Sequence, residues 1–138
     1  MIDKFSFKTY LFVTLLLIGC AKNQTANNEE ISGTWQAYEY KTETYLASKE
    51  ILLKARELAL STKYVFETDK TGFVLDNYGL RNFKWEIASS KILLEFEAGK
   101  KGIINFDIIQ RGKIRFNYET EIGKGRIEKQ FLYLEKIQ

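Results

Sequence analysis

The sequence predicts an all-β chain, an eight-stranded antiparallel up-and-down barrel with one α-helix inserted between strands 1 and 2. Three observations carry that expectation. From Gly33 onward, apolar residues recur mostly with a period of two, as half-buried strands require. The connections between these segments are too short for parallel crossovers, so neighbours must run antiparallel. One segment breaks the pattern: Thr44–Ser61, "TYLASKEILLKARELALS", lacks Gly and Pro and repeats with helical spacing. Eight strands sharing one apolar face can close on themselves and so remove their exposed edges.

The candidate strands are Gly33–Lys41, Lys63–Thr68, Phe73–Asn77, Asn82–Ala88, Lys91–Ala98, Ile103–Ile109, Lys113–Thr120 and Arg126–Glu135. Asp69-Lys70-Thr71-Gly72 supplies tight-turn residues between the second and third. A two-residue loop at Ser89-Ser90 sets Phe83 against Phe96, Trp85 against Leu94 and Ile87 against Ile92, with Lys84 opposite Glu95 on the other face. A three-residue loop Gln110-Arg111-Gly112, with Gly112 left-handed, sets Ile108 against Ile114, Phe106 against Phe116 and Ile104 against Tyr118. Asp107 then lies opposite Arg115. Both registers sort apolar groups to one face and complementary charges to the other. In the last strand, pairing Thr120 with Arg126 turns Glu128, Gln130, Leu132 and Leu134 inward, whereas a one-residue shift turns Ile127, Lys129, Phe131 and Tyr133 inward. Either way an ionisable residue enters the inner face, where it must be paired, at the mouth, or kept for a polar ligand group.

In the helical segment, Ile51, Leu52, Ala55, Leu58 and Ala59 share the face expected to pack on the barrel, and Glu50 stands four residues before Lys54. Leu46, Leu53 and Leu60 form a thin second stripe, either a lid over a ligand or simply exposed leucines.

Ahead of the barrel, Tyr10–Ile18 is almost wholly apolar, follows Lys4 and Lys8, and is too short to span a bilayer. Its length fits the apolar core of a secretory signal. It ends in Leu17-Ile18-Gly19-Cys20, and Cys20 is the single cysteine among 138 residues. This quartet resembles the lipobox of bacterial lipoproteins. The resemblance implies diacylglycerol on the Cys20 sulfur, cleavage before it and acylation of the new N-terminus. It also implies a lipid-anchored envelope protein, and Ala21, in place of the aspartate of an inner-membrane retention signal, implies the outer membrane of a Gram-negative bacterium. The chain therefore divides into a signal peptide over 1–19, a lipidated cysteine with flexible tether over 20–30, and a barrel domain over 31–138. A ten-residue tether Ala21–Glu30 reaches about 33–36 Å when taut.

Removal of residues 1–19 takes Lys4, Lys8 and Asp3 from a formal net charge of +3 and leaves +2. The basic residues alternate with acidic ones, so no clustered face for nucleic acid is expected. Histidine is absent, and the one cysteine is assigned to the anchor. This removes Ser-His-Asp and Cys-His catalysis and histidine or thiolate metal sites. No catalytic residue, metal or cofactor is expected, and the chain reads as a monomeric non-enzyme. A hydrolase built on two carboxylates, or a haem held by tyrosine, stays formally open. The hydrolase candidates, Glu95 and Glu97, share a strand face opposite Lys84 and Asn82.

Gly33-Thr34-Trp35 at the head of the first of eight strands resembles the lipocalins, and "YVFETDKTGFV" (64–74) is similar to the second hairpin of lipocalin-like lipoproteins from Gram-negative bacteria. In that family the tryptophan closes one barrel end under a basic residue from the last strand, which makes Arg126 the matching candidate. The inserted helix departs from plain lipocalins and resembles the helical lid of the fatty-acid-binding proteins. The resemblance implies a small hydrophobic ligand inside the barrel. Trp35, Phe66, Phe73, Trp85, Phe96, Phe106, Phe116, Tyr118 and Arg126 are its candidate contacts. The same rings would equally fill the interior, since eight strands enclose a space that side chains can occupy. Two functions thus stand side by side: a carrier of a small apolar molecule, and a filled barrel acting through its surface on an envelope partner or hydrolase.

Overall fold

The computed structural model describes residues 26–43, 48–121 and 124–138. The chain forms a short helix α1 (Asn28–Ile31), strand β1 (Gly33–Thr42), helix α2 (Lys49–Ser61), and strands β2 (Lys63–Phe66), β3 (Thr71–Asp76), β4 (Gly79–Ala88), β5 (Lys91–Phe96), β6 (Lys101–Gln110), β7 (Lys113–Glu121) and β8 (Ile127–Lys136). Each strand pairs antiparallel with the next and β8 returns to β1, so the sheet closes into an eight-stranded barrel. The expected fold class is the observed one. Among the described residues, no helix is long and apolar enough to cross a membrane. Cys20, the signal segment, the first half of the expected tether and Leu46 lie outside the described residues.

The β4–β5 hairpin has the predicted register, with Phe83, Trp85 and Ile87 opposite Phe96, Leu94 and Ile92, and Lys84 opposite Glu95. Ser89 takes a left-handed φ of 58° to close its two-residue turn. In the β6–β7 hairpin, Ile108 meets Ile114, Phe106 meets Phe116 and Asp107 meets Arg115 as expected. Its loop is shorter than expected: Gln110 pairs with Lys113, and a bulge after Ile108 takes up the extra residue. Gly112 supplies the left-handed turn at φ 74°. The Ile104–Tyr118 pair is not formed, because this ladder begins at Asn105 and Asn117.

Two further registers correct the sequence reading. β3 starts at Thr71 and sets Gly72 opposite Phe66 and Phe83, so Gly72 and Val74 turn inward and Phe73 turns outward. The cause is steric: a Cβ on Gly72 would stand 2.6 Å from the Phe83 ring, so the inner face at that point has room only for glycine. In β8, Thr120 pairs with Glu128 and not with Arg126, a slip of two residues. A slip of two preserves the face, so Glu128, Gln130, Leu132 and Leu134 still point inward.

The segment expected as a loose tether ends sooner than Glu30. Asn27 and Glu30 form a reciprocal capping box, and Ile31 is completely buried. α2 starts at Lys49 under a Ser48 cap, later than Thr44, and carries the expected Glu50–Lys54 pair at 3.1 Å. It leans on the barrel by its C-terminal half: Ala59 and Leu60 pack on the core, while Gln36 Nε2 donates to the Leu60 carbonyl over 2.7 Å. Ile51, assigned to the packing face, is exposed, as is Leu53. β2 spans only four residues and pairs with β1 over Gly33–Gln36, so the upper half of β1 has α2 beside it in place of a strand.

Candidate functional site

Alternation along each strand builds the barrel interior. On the inner face of the lower barrel, Trp35, Phe66, Phe83, Trp85, Ile92, Phe106, Ile114, Phe116 and Leu134 are all at most 4% exposed. Phe66 of β2 touches Phe83 and Trp85 of β4 at centroid distances of 5.5 and 5.3 Å, and Tyr64 meets Phe116 of β7 edge-on at 5.2 Å. A chamber large enough for a guest would leave its lining accessible to a water-sized sphere. These rings are not accessible, so Phe66, Trp85, Phe106 and Phe116 act as fill of the lower barrel. The Trp85 indole is also spoken for, since its Nε1 donates to the carbonyls of Thr71 (2.9 Å) and Glu67 (3.1 Å).

Trp35 closes the lower end. Its Nε1 donates to the Ile31 carbonyl over 2.7 Å, and the basic residue above its ring is Lys136, with Nζ 5.2 Å from the centroid. Arg126 does not take that place: it is exposed and lies just before β8, at the opposite end. Antiparallel pairing explains the correction, because the first residues of β1 face the last residues of β8 and Trp35 pairs directly with Lys136.

The other end is different chemically. There the inner face turns polar: Tyr40 and Thr42 from β1, Tyr64 from β2, Asp76 from β3, Arg81 from β4, Tyr118 from β7, and Glu128 and Gln130 from β8. The Tyr64 and Tyr118 hydroxyls approach to 3.4 Å from strands three apart around the barrel. Standing on Phe66 and Phe116, the two tyrosines form the floor of an upper mouth. Burial pushes the Tyr118 hydroxyl well above the ordinary tyrosine range, and burial also raises Tyr64. Tyr40 is raised as well, first by burial and then by the Glu128 carboxylate. Glu128 answers the question of the inward charge. It sits at the mouth, half-buried, and accepts from Gln130 Nε2 (3.1 Å) and Thr42 Oγ1 (3.4 Å). Asp76 and Arg81 form an ion pair on the rim, and the Arg81 guanidinium lies 6.0 Å from the Phe96 ring centroid. A shallow depression of about 270 Å³ adjoins it, lined by Leu80, Arg81, Asn82, Phe96, Glu97 and Lys100.

Of the nine candidate contacts, Tyr118 and Phe96 reach this mouth, and Trp35 closes the opposite end. Phe66, Trp85, Phe106 and Phe116 lie in the fill, Phe73 is on the outer face and Arg126 is remote from Trp35. Cys20 is outside the described residues. Tyr40, Tyr64, Asp76 and Arg81 were missed. Tyr64 was legible two residues before the inward Phe66. Tyr40 was hidden by a bulge between Ala37 and Glu39, which restores an inward aromatic after the outward Tyr38. Asp76 was lost with the wrong face of β3, and Arg81 because the expected fourth strand began at Asn82, three residues after the observed start of β4 at Gly79. Glu95 and Glu97 form no cleft: Glu95 opposes Lys84, and Glu97 accepts from Asn82 Nδ2 over 3.1 Å on the exposed surface. Among the described residues, no group of three or more His, Cys, Asp or Glu could hold a metal ion.

No protein-family model matches the chain, and no curated protein matches it. Among solved structures, a complex of bovine odorant binding protein with a selenium-containing odorant is similar to it, with 14% identity over 82% of this chain and 74% of that chain and a TM-score of 0.45.

Proposed function

We propose that this chain is a lipid-anchored protein of the cell envelope, held by an acylated Cys20, whose barrel takes a small amphiphile at its upper mouth. The Tyr64–Tyr118 hydroxyl pair carries the binding reading. A barrel meant only to be filled gains nothing from placing two desolvated hydroxyls over its aromatic core, since buried polar groups cost stability unless bonded. Two tyrosines whose one shared contact is as long as 3.4 Å keep capacity for a further partner. Above them, Tyr40, Gln130 and Arg81 offer donors for a polar head, and Phe96 offers an apolar wall. The filled lower barrel restricts the guest to a short one. No chemistry on the guest is proposed.

The anchor reading rests on the Leu-Ile-Gly-Cys quartet and the apolar run before it. Two or more acyl chains hold a protein on a bilayer stably, where one does not. Ala21 favours the outer membrane. Cys20→Ser should leave the chain unprocessed or release it from membranes. Normal cleavage with unchanged membrane fractionation would refute acylation.

Binding is tested by thermal unfolding of the protein against a panel of short amphiphiles. A ligand present at about 100 times its Kd adds about 2.7 kcal/mol, a shift of roughly ten degrees or more for a domain of this size. The shift should shrink in Tyr64→Phe and Tyr118→Phe. A midpoint unmoved by the whole panel would end the reading.

One observation favours a surface function instead. On the outer face of β1, β7 and β8, Tyr38, Phe131 and Tyr133 are interleaved with Lys41, Lys113 and Arg115, with the cations 4.9–5.2 Å from ring centroids. Aromatic and arginine residues dominate protein interfaces. Loss of a specific envelope partner on Tyr133→Ser, with amphiphile binding absent, would favour this second reading.

A further inference from the structure

The entry of the chain and the mouth of the barrel lie at opposite ends. Ala26 packs against the core, Asn27 caps α1, and Ile31 is buried beside Trp35 at the closed end. We infer that the barrel rests on its bilayer by this closed end, with Ile109 and Ile137 against the lipid surface, and that its mouth opens away from that bilayer. The inference rests on the Cys20 acylation proposed above.

Length decides the orientation. Only six residue steps separate Cys20 from the fixed Ala26, which span at most about 20–22 Å whatever their conformation. The long strands have ten residues, roughly 33 Å along the strand and about 25 Å along a barrel axis tilted by about 40°. Turning the mouth onto the same bilayer would put Ala26 a full barrel length from the surface, beyond that reach.

The closed end also has the surface for the contact. An open groove of about 1000 Å³ runs between α1 and the β6–β7 hairpin. Ile109 and Ile137 line it and are 47% and 48% exposed. The charges along it, Glu29 and Glu30 against Arg111 and Lys136, cancel, so the fitting partner is the boundary of a bilayer of any headgroup charge. Two isoleucines would not hold the domain there alone; the acyl chains supply affinity and this face sets the posture. The rim at the other end exposes Tyr78 (81%) and Leu80 (55%), and it stays free for whatever delivers the amphiphile.

The test uses the full acylated chain on neutral phosphatidylcholine vesicles, with single cysteines introduced as Ile109→Cys, Ile137→Cys or Tyr78→Cys and labelled with a polymer-bound maleimide. On vesicles the Ile109 and Ile137 positions should react about tenfold more slowly than the Tyr78 position, and the gap should close to about twofold in detergent. Equal rates on membrane-bound protein would overturn the orientation while leaving the anchor intact. Slow labelling at Ile109 and Ile137 in detergent as well would overturn it too, because the groove would then be covered by the protein itself. Protein that washes off the vesicles would remove the anchor and the orientation together.

Discussion

The Lys136 ammonium lies 5.2 Å above the Trp35 ring, whose Nε1 donates to the Ile31 carbonyl beneath. Through this stack the last residues of β8 and the residues before β1 seal one barrel end. Burial lowers the Lys136 pKa, and the nearby Glu30 acts against that shift. Lys136→Ala should therefore cost about 1 kcal/mol, from the cation–ring attraction and the lost cover of its stem. Trp35→Phe should cost about 1–3 kcal/mol beyond lost packing, by orphaning the Ile31 carbonyl. Arg126→Ala should stay within about 0.5 kcal/mol. Urea denaturation of the three variants measures the order. An Arg126 effect as large as that of Lys136 would contradict the assignment.

Gly72 marks the narrowest inner point of β3. An added Cβ would stand 2.2 Å from the Val65 carbonyl oxygen as well as 2.6 Å from the Phe83 ring, and the backbone atom cannot rotate away. Gly72→Ala should cost about 3 kcal/mol or more. At Gly112 a Cβ meets nothing within 4 Å, and the φ of 74° is the only obstacle. Gly112→Ala should cost about 1–2 kcal/mol. Thermal midpoints should rank them in that order.

The two faces of β3 make opposite demands. Val74 is 4% exposed and turned inward, whereas Phe73 lies between Val65 and Asn82 on the outer face. Val74→Asp would bury an unpaired carboxylate and should abolish cooperative unfolding, and Phe73→Asp should leave a folded protein. Far-UV and near-UV circular dichroism distinguish the outcomes. A folded Val74→Asp would reverse the face.

The fold was legible where the signal was local. Period-two alternation and two-residue turns fixed β4–β5 to the residue, because Phe83, Trp85 and Ile87 leave one register that buries all three. The failures share one cause, which is that closure is non-local. Nothing near Phe73 reveals that Phe83 across the ladder needs a glycine partner at position 72. Nothing near Arg126 reveals that β1 will meet β8 at Lys136. The mouth was least legible, since its members come from seven strands and its meaning lies in the 3.4 Å approach of Tyr64 to Tyr118, which are 54 residues apart.

That approach sets a pH dependence with a definite sign. Tyr64 and Tyr118 are both raised above the ordinary value of 10.0 in the folded protein, chiefly by burial, so the folded state keeps their protons longer than the unfolded chain does. Their contribution to stability is complete below pH 10. Above it the unfolded chain ionises first, and stability falls by up to about 1.4 kcal/mol per pH unit for each tyrosine until the folded-state hydroxyls titrate too. Thermal midpoints should thus drop steeply between pH 10 and 12. In the processed chain, which lacks Tyr10 of the eight tyrosines, absorbance at about 295 nm should show Tyr64 and Tyr118 ionising only with unfolding. In Tyr118→Phe the decline should be shallower, because one of the two proton-holding groups is gone. Tyr64 then loses its hydroxyl partner, so this variant should also be less stable by about 1 kcal/mol at neutral pH. A parallel decline in both proteins, or all tyrosines titrating together in the folded state, would place the two hydroxyls in water and take away the floor on which the binding mouth is built.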